Sequence, residues 1–260
     1  MDESIISKDL VTIDKDSHLH AALEVMQKHH ISRLIVTERG ELVGILAEED
    51  IANRLAAGKE RKLKAEHIHI SAAMTKDLVS IDISASLRDA AKIMLEKNFS
   101  SLLVKKDNAV IGLITKTDLV KTLCDSKKEV KEFYTPNIVT VKPDETIVSV
   151  RKLMLTCNIH RVPVLENGAL IAMLTERDIA KGLDTFRKAI DKYPQADIKR
   201  LTVSLVMRPA PITVDSDTPI GKAVSIMLEK KISGLPIMAK EMGIITKTDL
   251  VRGIAEGKLP

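Results

Sequence analysis

The segment G-L-I-T-K-T-D-L-V at residues 112–120 returns almost unchanged as G-I-I-T-K-T-D-L-V at 243–251. Two weaker copies, G-I-L-A-E-E-D-I-A from Gly44 and A-M-L-T-E-R-D-I-A from Ala172, make four in all. A chain that writes one segment four times at wide spacing is expected to fold as four copies of one supersecondary unit, each too small to bury its own apolar face.

The residues upstream repeat as well. Short β-branched runs at 11–13, 79–81, 139–141 and 212–214 read as strands. Each leads through an Asp, Pro or Ser turn into a helical pattern with apolar residues at i, i+3, i+4 and i+7. That stripe is Leu19, Ala22, Leu23, Met26 in the first copy, and Leu87, Ala90, Ala91, Met94 in the second. In the fourth it is Ile220, Ala223, Val224, Met227, and in the third Ile147, Val150, Arg151, Met154. The four Met are expected to be core filler. Arg151 reads as a side chain snorkelling from the edge of the stripe. Ile31, Phe99, Ile159 and Ile232 open a second strand, and the repeated segment supplies a third strand followed by a second helix. The expected class is therefore α/β (α+β), with four β-α-β-β-α units at 1–58, 72–124, 133–186 and 205–257. Charged connectors at 59–72, 125–132 and 187–204 read as partly helical. Units of roughly 60 residues are marginal alone, so pairing is expected.

Composition narrows the function. Aromatics are 2% with no Trp, which leaves little surface for stacking single-stranded bases. The net charge of +4 is too small to imply nucleic acid. No run of 18 apolar residues exists, so no membrane partner is expected. The acidic start M-D-E-S does not read as a signal peptide, and Cys124 and Cys157 form no framework. The expectation is a reduced, cytoplasmic protein. No Cys/His nucleophile pair, metal-ligand spacing or phosphate-loop lysine motif occurs, so neither an enzyme, a catalytic cofactor nor a metal site is expected.

Thr-x-x-Asp has two readings. Thr followed three residues later by an acid resembles a helix capping box, although Glu or Gln is usual there. Yet Asp stands at the last position in every copy: Asp50, Asp118, Asp178 and Asp249. A helix N-terminus and a Thr hydroxyl suit a phosphate, and a carboxylate offers two acceptors to a ribose diol. Gly44, Gly112 and Gly243 would let a ligand or a neighbouring backbone approach the third strand.

With these motifs in four registers, together with the h-S/H-x-h-P-V second strand, the whole chain resembles four tandem CBS domains, the regulatory modules named after cystathionine β-synthase. Four units in one chain are similar to the γ subunits of AMP-activated protein kinase. The resemblance implies two pseudo-twofold tandem pairs whose clefts hold adenosine ligands. It implies that motif Thr and Asp hold phosphate and ribose while backbone beside the first strand reads adenine. Carried onto this chain, the nucleotide-binding candidates are Thr115, Asp118, Thr175, Asp178, Thr246, Asp249 and Asp50. The first-strand backbone adds Leu78, Ile138, Val139 and Ile212. His160 and Arg161 match a phosphate-contacting His-Arg pair, and Arg33 occupies the same position as Arg161 in the first unit. Thr135 and Asn137 precede the third first-strand; Lys116 and Lys247 lie within the motifs, where a solvated Lys is the plainer reading.

The first unit departs from the pattern. Ala47 replaces Thr, and Glu48-Glu49-Asp50 should repel phosphate. A site there is expected to be weak, empty, or suited to a ligand without a nearby phosphate, such as S-adenosylmethionine. The expected function is regulatory sensing of AMP, ADP or ATP. The alternatives are an S-adenosylmethionine or other adenosyl-ligand binder, or a nucleic-acid-binding member of the family. Expected partners are the adenosyl ligand and a protein effector, with a homodimer left open.

Overall fold

The structure is a computed structural model that describes residues 1–56, 65–107, 109–189, 197–238 and 242–260. The first unit contains β1 (Thr12–Asp14), α1 (Leu19–His29), β2 (Arg33–Glu38), β3 (Glu41–Ala47) and α2 (Glu48–Ala56). The second contains β4 (Ser80–Asp82), α3 (Leu87–Glu96), β5 (Ser101–Lys106), β6 (Ala109–Thr115) and α4 (Lys116–Lys121). After the short β7 (Thr135–Pro136), the third has α5 (Ile147–Cys157), β8 (Arg161–Glu166), β9 (Ala169–Thr175) and α6 (Glu176–Ala189). After β10 (Arg208–Pro209), the fourth has β11 (Val214–Asp215), α7 (Ile220–Glu229), β12 (Gly234–Met238), β13 (Gly243–Thr246) and α8 (Lys247–Ala255).

In three units the first strand pairs parallel with the second, and in all four the second pairs antiparallel with the third. The expected first strand of the third unit shrinks to a single parallel bridge, Val141 to Val164. Pro143 explains the loss. In the first unit the Lys15 N–H continues the ladder to the Thr37 carbonyl, and Pro143, at the matching position, has no N–H to give. The second strands begin two residues later than expected. Ile31, Ile159 and Ile232 instead donate their N–H groups back to the carbonyls of Met26, Met154 and Met227 at 2.9–3.0 Å. The residues just before them, His30, Asn158 and Lys231, are left-handed with φ of 51–55°. This is a Schellman-type closure, which uses those N–H groups before a strand can. The hairpins Arg39-Gly40 and Asn167-Gly168 turn with positive φ at both residues, the two-residue geometry that matches strand twist.

The helix stripes are buried apart from Leu87, which is partly buried, and Met26, Met94, Met154 and Met227 are at most 1% exposed. Arg151 is also buried, at 3% exposure, and does not reach water. Its Nη2 donates to Asn53 Oδ1, and its Nη1 lies 3.6 Å from Glu176 Oε1. The snorkelling expectation fails because an acid and an amide meet the guanidinium inside. Of the connectors, 59–64 and 190–196 lie outside the described residues. Elsewhere they carry single 3₁₀ turns at Ala65–His67, Ile70–Ala72, Val130–Glu132, Ile198–Arg200 and Val203–Leu205, while α6 extends to Ala189.

Two compact bodies result. The odd body, Val11–Asp77 with Val139–Pro211, holds the first and third units. The even body, Met1–Leu10 with Leu78–Ile138 and Ile212–Pro260, holds the second and fourth. Each has its own apolar core drawn from both of its units, so each unit meets its deficit of buried area by sharing a core. No described helix is long and apolar enough to cross a membrane.

Candidate functional site

Each third strand is edged by a short segment from another part of the sequence. In the odd body Thr75 bridges to Ile45, and β10 pairs with β9. In the even body Ser7 bridges to Leu113, and β7 pairs with β13. The motif glycines exist for this approach. A Cβ on Gly44 would meet Thr75 O at 3.0 Å, one on Gly112 Ser7 O at 2.7 Å, and one on Gly243 Thr135 O at 2.8 Å. Backbone, rather than a ligand, occupies the space the missing side chain leaves.

At the end of that strand the Thr-x-x-Asp motif forms a capping box. In the even body Thr115 N–H donates to Asp118 Oδ2 at 3.0 Å, and the Thr115 hydroxyl donates to the same oxygen at 2.7 Å. Thr246 and Asp249 repeat this at 2.8 and 2.5 Å. In the odd body Thr175 and Asp178 do so at 2.9 and 2.5 Å. The three carboxylates are 4–6% exposed. Only Oδ2 serves the cap. The second oxygen of each carboxylate faces a cation: Asp118 Oδ1 accepts from Lys121 at 2.9 Å, Asp249 Oδ1 from Arg252 at 3.0 Å, and Asp178 Oδ1 from Arg208. Asp249 Oδ1 also accepts from the Thr135 hydroxyl at 3.1 Å. A carboxylate that caps with one oxygen and keeps the other for a partner is consistent with the repeated Asp, whose short side chain holds both positions at once.

Across the even body the two motifs reach for each other. Lys116 Nζ donates to Thr248 Oγ1 at 3.1 Å, and Lys247 Nζ to Thr117 Oγ1 at 2.9 Å. The exchange is reciprocal, as a pseudo-twofold pair requires. These half-buried lysines, with Lys121 and Arg252, surround two aspartates with a net positive charge.

The odd body is different. Arg177 of the third unit forms an ion pair with Glu48 of the first and donates to Ile31 O at 3.1 Å. Ala47 supplies no hydroxyl, and its N–H alone caps Asp50 Oδ2, at 2.7 Å. The Asp50 carboxyl is pushed up to about 6, chiefly by burial, with Glu49 and Glu176 adding to the rise and the Ala47 bond and Arg33 opposing it. Burial likewise raises Glu48 and Glu49. His160 does not face an anion cradle: its Nδ1 lies 3.1 Å from Glu176 Oε2 and 3.7 Å from Glu49 Oε2. The ligating atoms of Glu49, His160 and Glu176 lie within 4.8 Å of one another. Arg161 sits directly across the strand pair from Thr175, as Arg33 does from Ala47. Leu78, Ile138 and Val139 are partly exposed and Ile212 is 38% exposed, all outside regular structure beside their first strands. Asn137, next to β7, is exposed with φ 51°.

Sequence reasoning missed the cations on the motif carboxylates. Lys121 and Arg252 stand three residues after their Asp, a spacing that signals a helical pair. Arg208 is 30 residues from Asp178, and Glu176 is far in sequence from Glu49; neither left a local signal.

A family model described as CBS domain matches residues 3–57, 68–125, 130–185 and 203–256. MJ1225, an uncharacterized protein of Methanocaldococcus jannaschii, is 25% identical over 270 residues, 96% of each chain. Its crystal structure, described as a candidate archaeal homologue of g-AMPK, matches with a TM-score of 0.84 at 24% identity over 96% of this chain and 98% of that one. An uncharacterized conserved protein of Pyrococcus horikoshii matches with a TM-score of 0.63 at 18% identity, over 97% and 98%. Both structural likenesses concern the fold. Homoserine O-acetyltransferase of Methanohalobium evestigatum is 32% identical over 122 residues, which are 46% of this chain and 25% of that enzyme.

Proposed function

The chain belongs to the CBS-domain family, and from that premise we propose that it is a regulatory protein, not an enzyme, that senses adenine nucleotides. The observation that carries the reading is Asp249: it is buried, one oxygen is spent on the cap, and the other is held by Thr135 and Arg252 at a strand end. The proposed ligand places its ribose diol on that second oxygen. Arg252 and Lys121 are 51% and 55% exposed, so they can swing from carboxylate to phosphate with little loss of packing. Asp118 with Thr115 is the second such position, and Asp178 with Thr175 and Arg161 the third. Ile138, Ile212, Leu78 and Val139 offer backbone to adenine. Asp50 is the weakest, because Glu48 and Glu49 oppose an anion; that acidic surround favours a cationic adenosyl ligand such as S-adenosylmethionine at the first unit.

The test is direct. Heat-denatured protein should release an adenine nucleotide detectable by mass spectrometry. AMP, ADP or ATP at millimolar concentration should raise the melting temperature, since a ligand bound only to the native state stabilises it by RT ln(1 + [L]/Kd). A melting temperature unmoved by these nucleotides and by S-adenosylmethionine refutes the reading.

A further inference from the structure

His160 lies between two carboxylates that come from different units, and with them it forms a cluster whose ligating atoms all lie within 4.8 Å of one another. It opens β8 of the third unit, Glu176 opens α6 of the same unit, and Glu49 stands in the first turn of α2 in the first. We propose that Glu49, His160 and Glu176 form a zinc site that joins the first and third units of the odd body.

Three observations carry this. The first is spacing. Zinc takes His nitrogen and carboxylate oxygen at about 2.0–2.2 Å in a tetrahedron, which sets its ligands about 3.3 Å apart. His160 Nδ1 lies 3.1 Å from Glu176 Oε2 and 3.7 Å from Glu49 Oε2. The second is room. The three groups open on a cavity of about 20 Å³ that Arg151, Asn158 and Ile159 also line, a volume suited to one ion or one water. The third is the support behind the ligands. Glu176 is 8% exposed, and its other oxygen, Oε1, faces Arg151 at 3.6 Å. Oε2 is thereby aimed at the cavity, as outer partners of ligating carboxylates do.

Charge agrees with the geometry. Two carboxylates and the Arg151 guanidinium leave one negative charge beside the imidazole. Three protein ligands leave the fourth zinc position to water. Because Glu49 adjoins Asp50, occupancy also bears on the weakest of the four motifs. The proposal is independent of the nucleotide reading.

The full chain, stripped with EDTA and desalted, is titrated with zinc chloride against a fluorescent chelator. Wild type should take up one equivalent that His160→Ala and Glu49→Gln both lack. Zinc should raise the melting temperature of wild type and leave both variants unmoved. Glu49 is 37% exposed at its side chain, so Glu49→Gln keeps the fold, and its metal-free melt checks this. His18 and His69, whose tilted rings have centroids 4.6 Å apart in the same body, serve as the control pair. The variant His69→Ala should therefore retain the equivalent that His160→Ala loses. Zinc uptake equal in wild type and His160→Ala, or no uptake by wild type, overturns the proposal.

Discussion

Asp50→Asn should make the protein more stable at neutral pH. The carboxyl of Asp50 is raised from its ordinary 3.8 to about 6, chiefly by burial, with Glu49 and Glu176 adding to it. A carboxyl whose folded value lies above its unfolded one contributes most to stability when protonated. That contribution is full below about pH 4 and is lost as pH rises through about 6. At about 1.4 kcal/mol per pH unit of difference, the loss is about 3 kcal/mol as an upper bound. Partial exposure and relaxation reduce it to about 1–2 kcal/mol. Asparagine keeps an oxygen for the Ala47 N–H, which the carboxylate now accepts at 2.7 Å, and carries no charge beside Glu49. Thermal melts of wild type and Asp50→Asn at pH 4.5 and 7.5 read the effect. The variant should gain on wild type as pH rises, by several degrees at pH 7.5. A variant no more stable than wild type at pH 7.5, or one whose advantage shrinks with pH, refutes the electrostatic account of the first unit.

Arg177→Leu should strand the buried Glu48 carboxylate and cost about 3–5 kcal/mol, with a larger drop in melting temperature at pH 8 than at pH 5, because Arg177 is what holds Glu48 down against burial. Gly112→Ala should destabilise by about 1–3 kcal/mol, since its Cβ would meet Ser7 O at 2.7 Å and the backbone must move; an unchanged denaturation midpoint would remove the close-approach argument. Pure protein should release no phosphate from ATP with magnesium above background; sustained release abolished by Asp249→Ala would make it an enzyme after all.

Much of the fold is legible because its signals are local. The stripes Leu19-Ala22-Leu23-Met26 and Ile220-Ala223-Val224-Met227 follow from period 3.6, and repetition confirms each against the others. Local features also caused the misses. Pro143 was visible, but its missing N–H matters only once the Lys15 pairing it would copy is known. Arg151 reads as a stripe edge in the sequence because its partners, Asn53 and Glu176, are distant in the chain. The candidate site divides in the same way. Thr-x-x-Asp is a capping box written within four residues, and its repetition shows in the text. The Arg208 bond to Asp178 and the meeting of Glu49 with His160 exist only after the first and third units share a core.

The ranking of motifs by completeness is tested most directly by calorimetric titration of AMP into wild type, Asp118→Ala, Asp249→Ala and Asp50→Ala. A charge-assisted hydrogen bond is worth roughly 1.5–3 kcal/mol, so each of the first two variants should lose one nucleotide, its site weakened about 10- to 150-fold. Asp50→Ala should bind as wild type does, because Ala47 offers no hydroxyl and Glu48 and Glu49 oppose the phosphate. Loss of the tightest binding in Asp50→Ala, with stoichiometry and affinity intact in Asp249→Ala, would contradict the account.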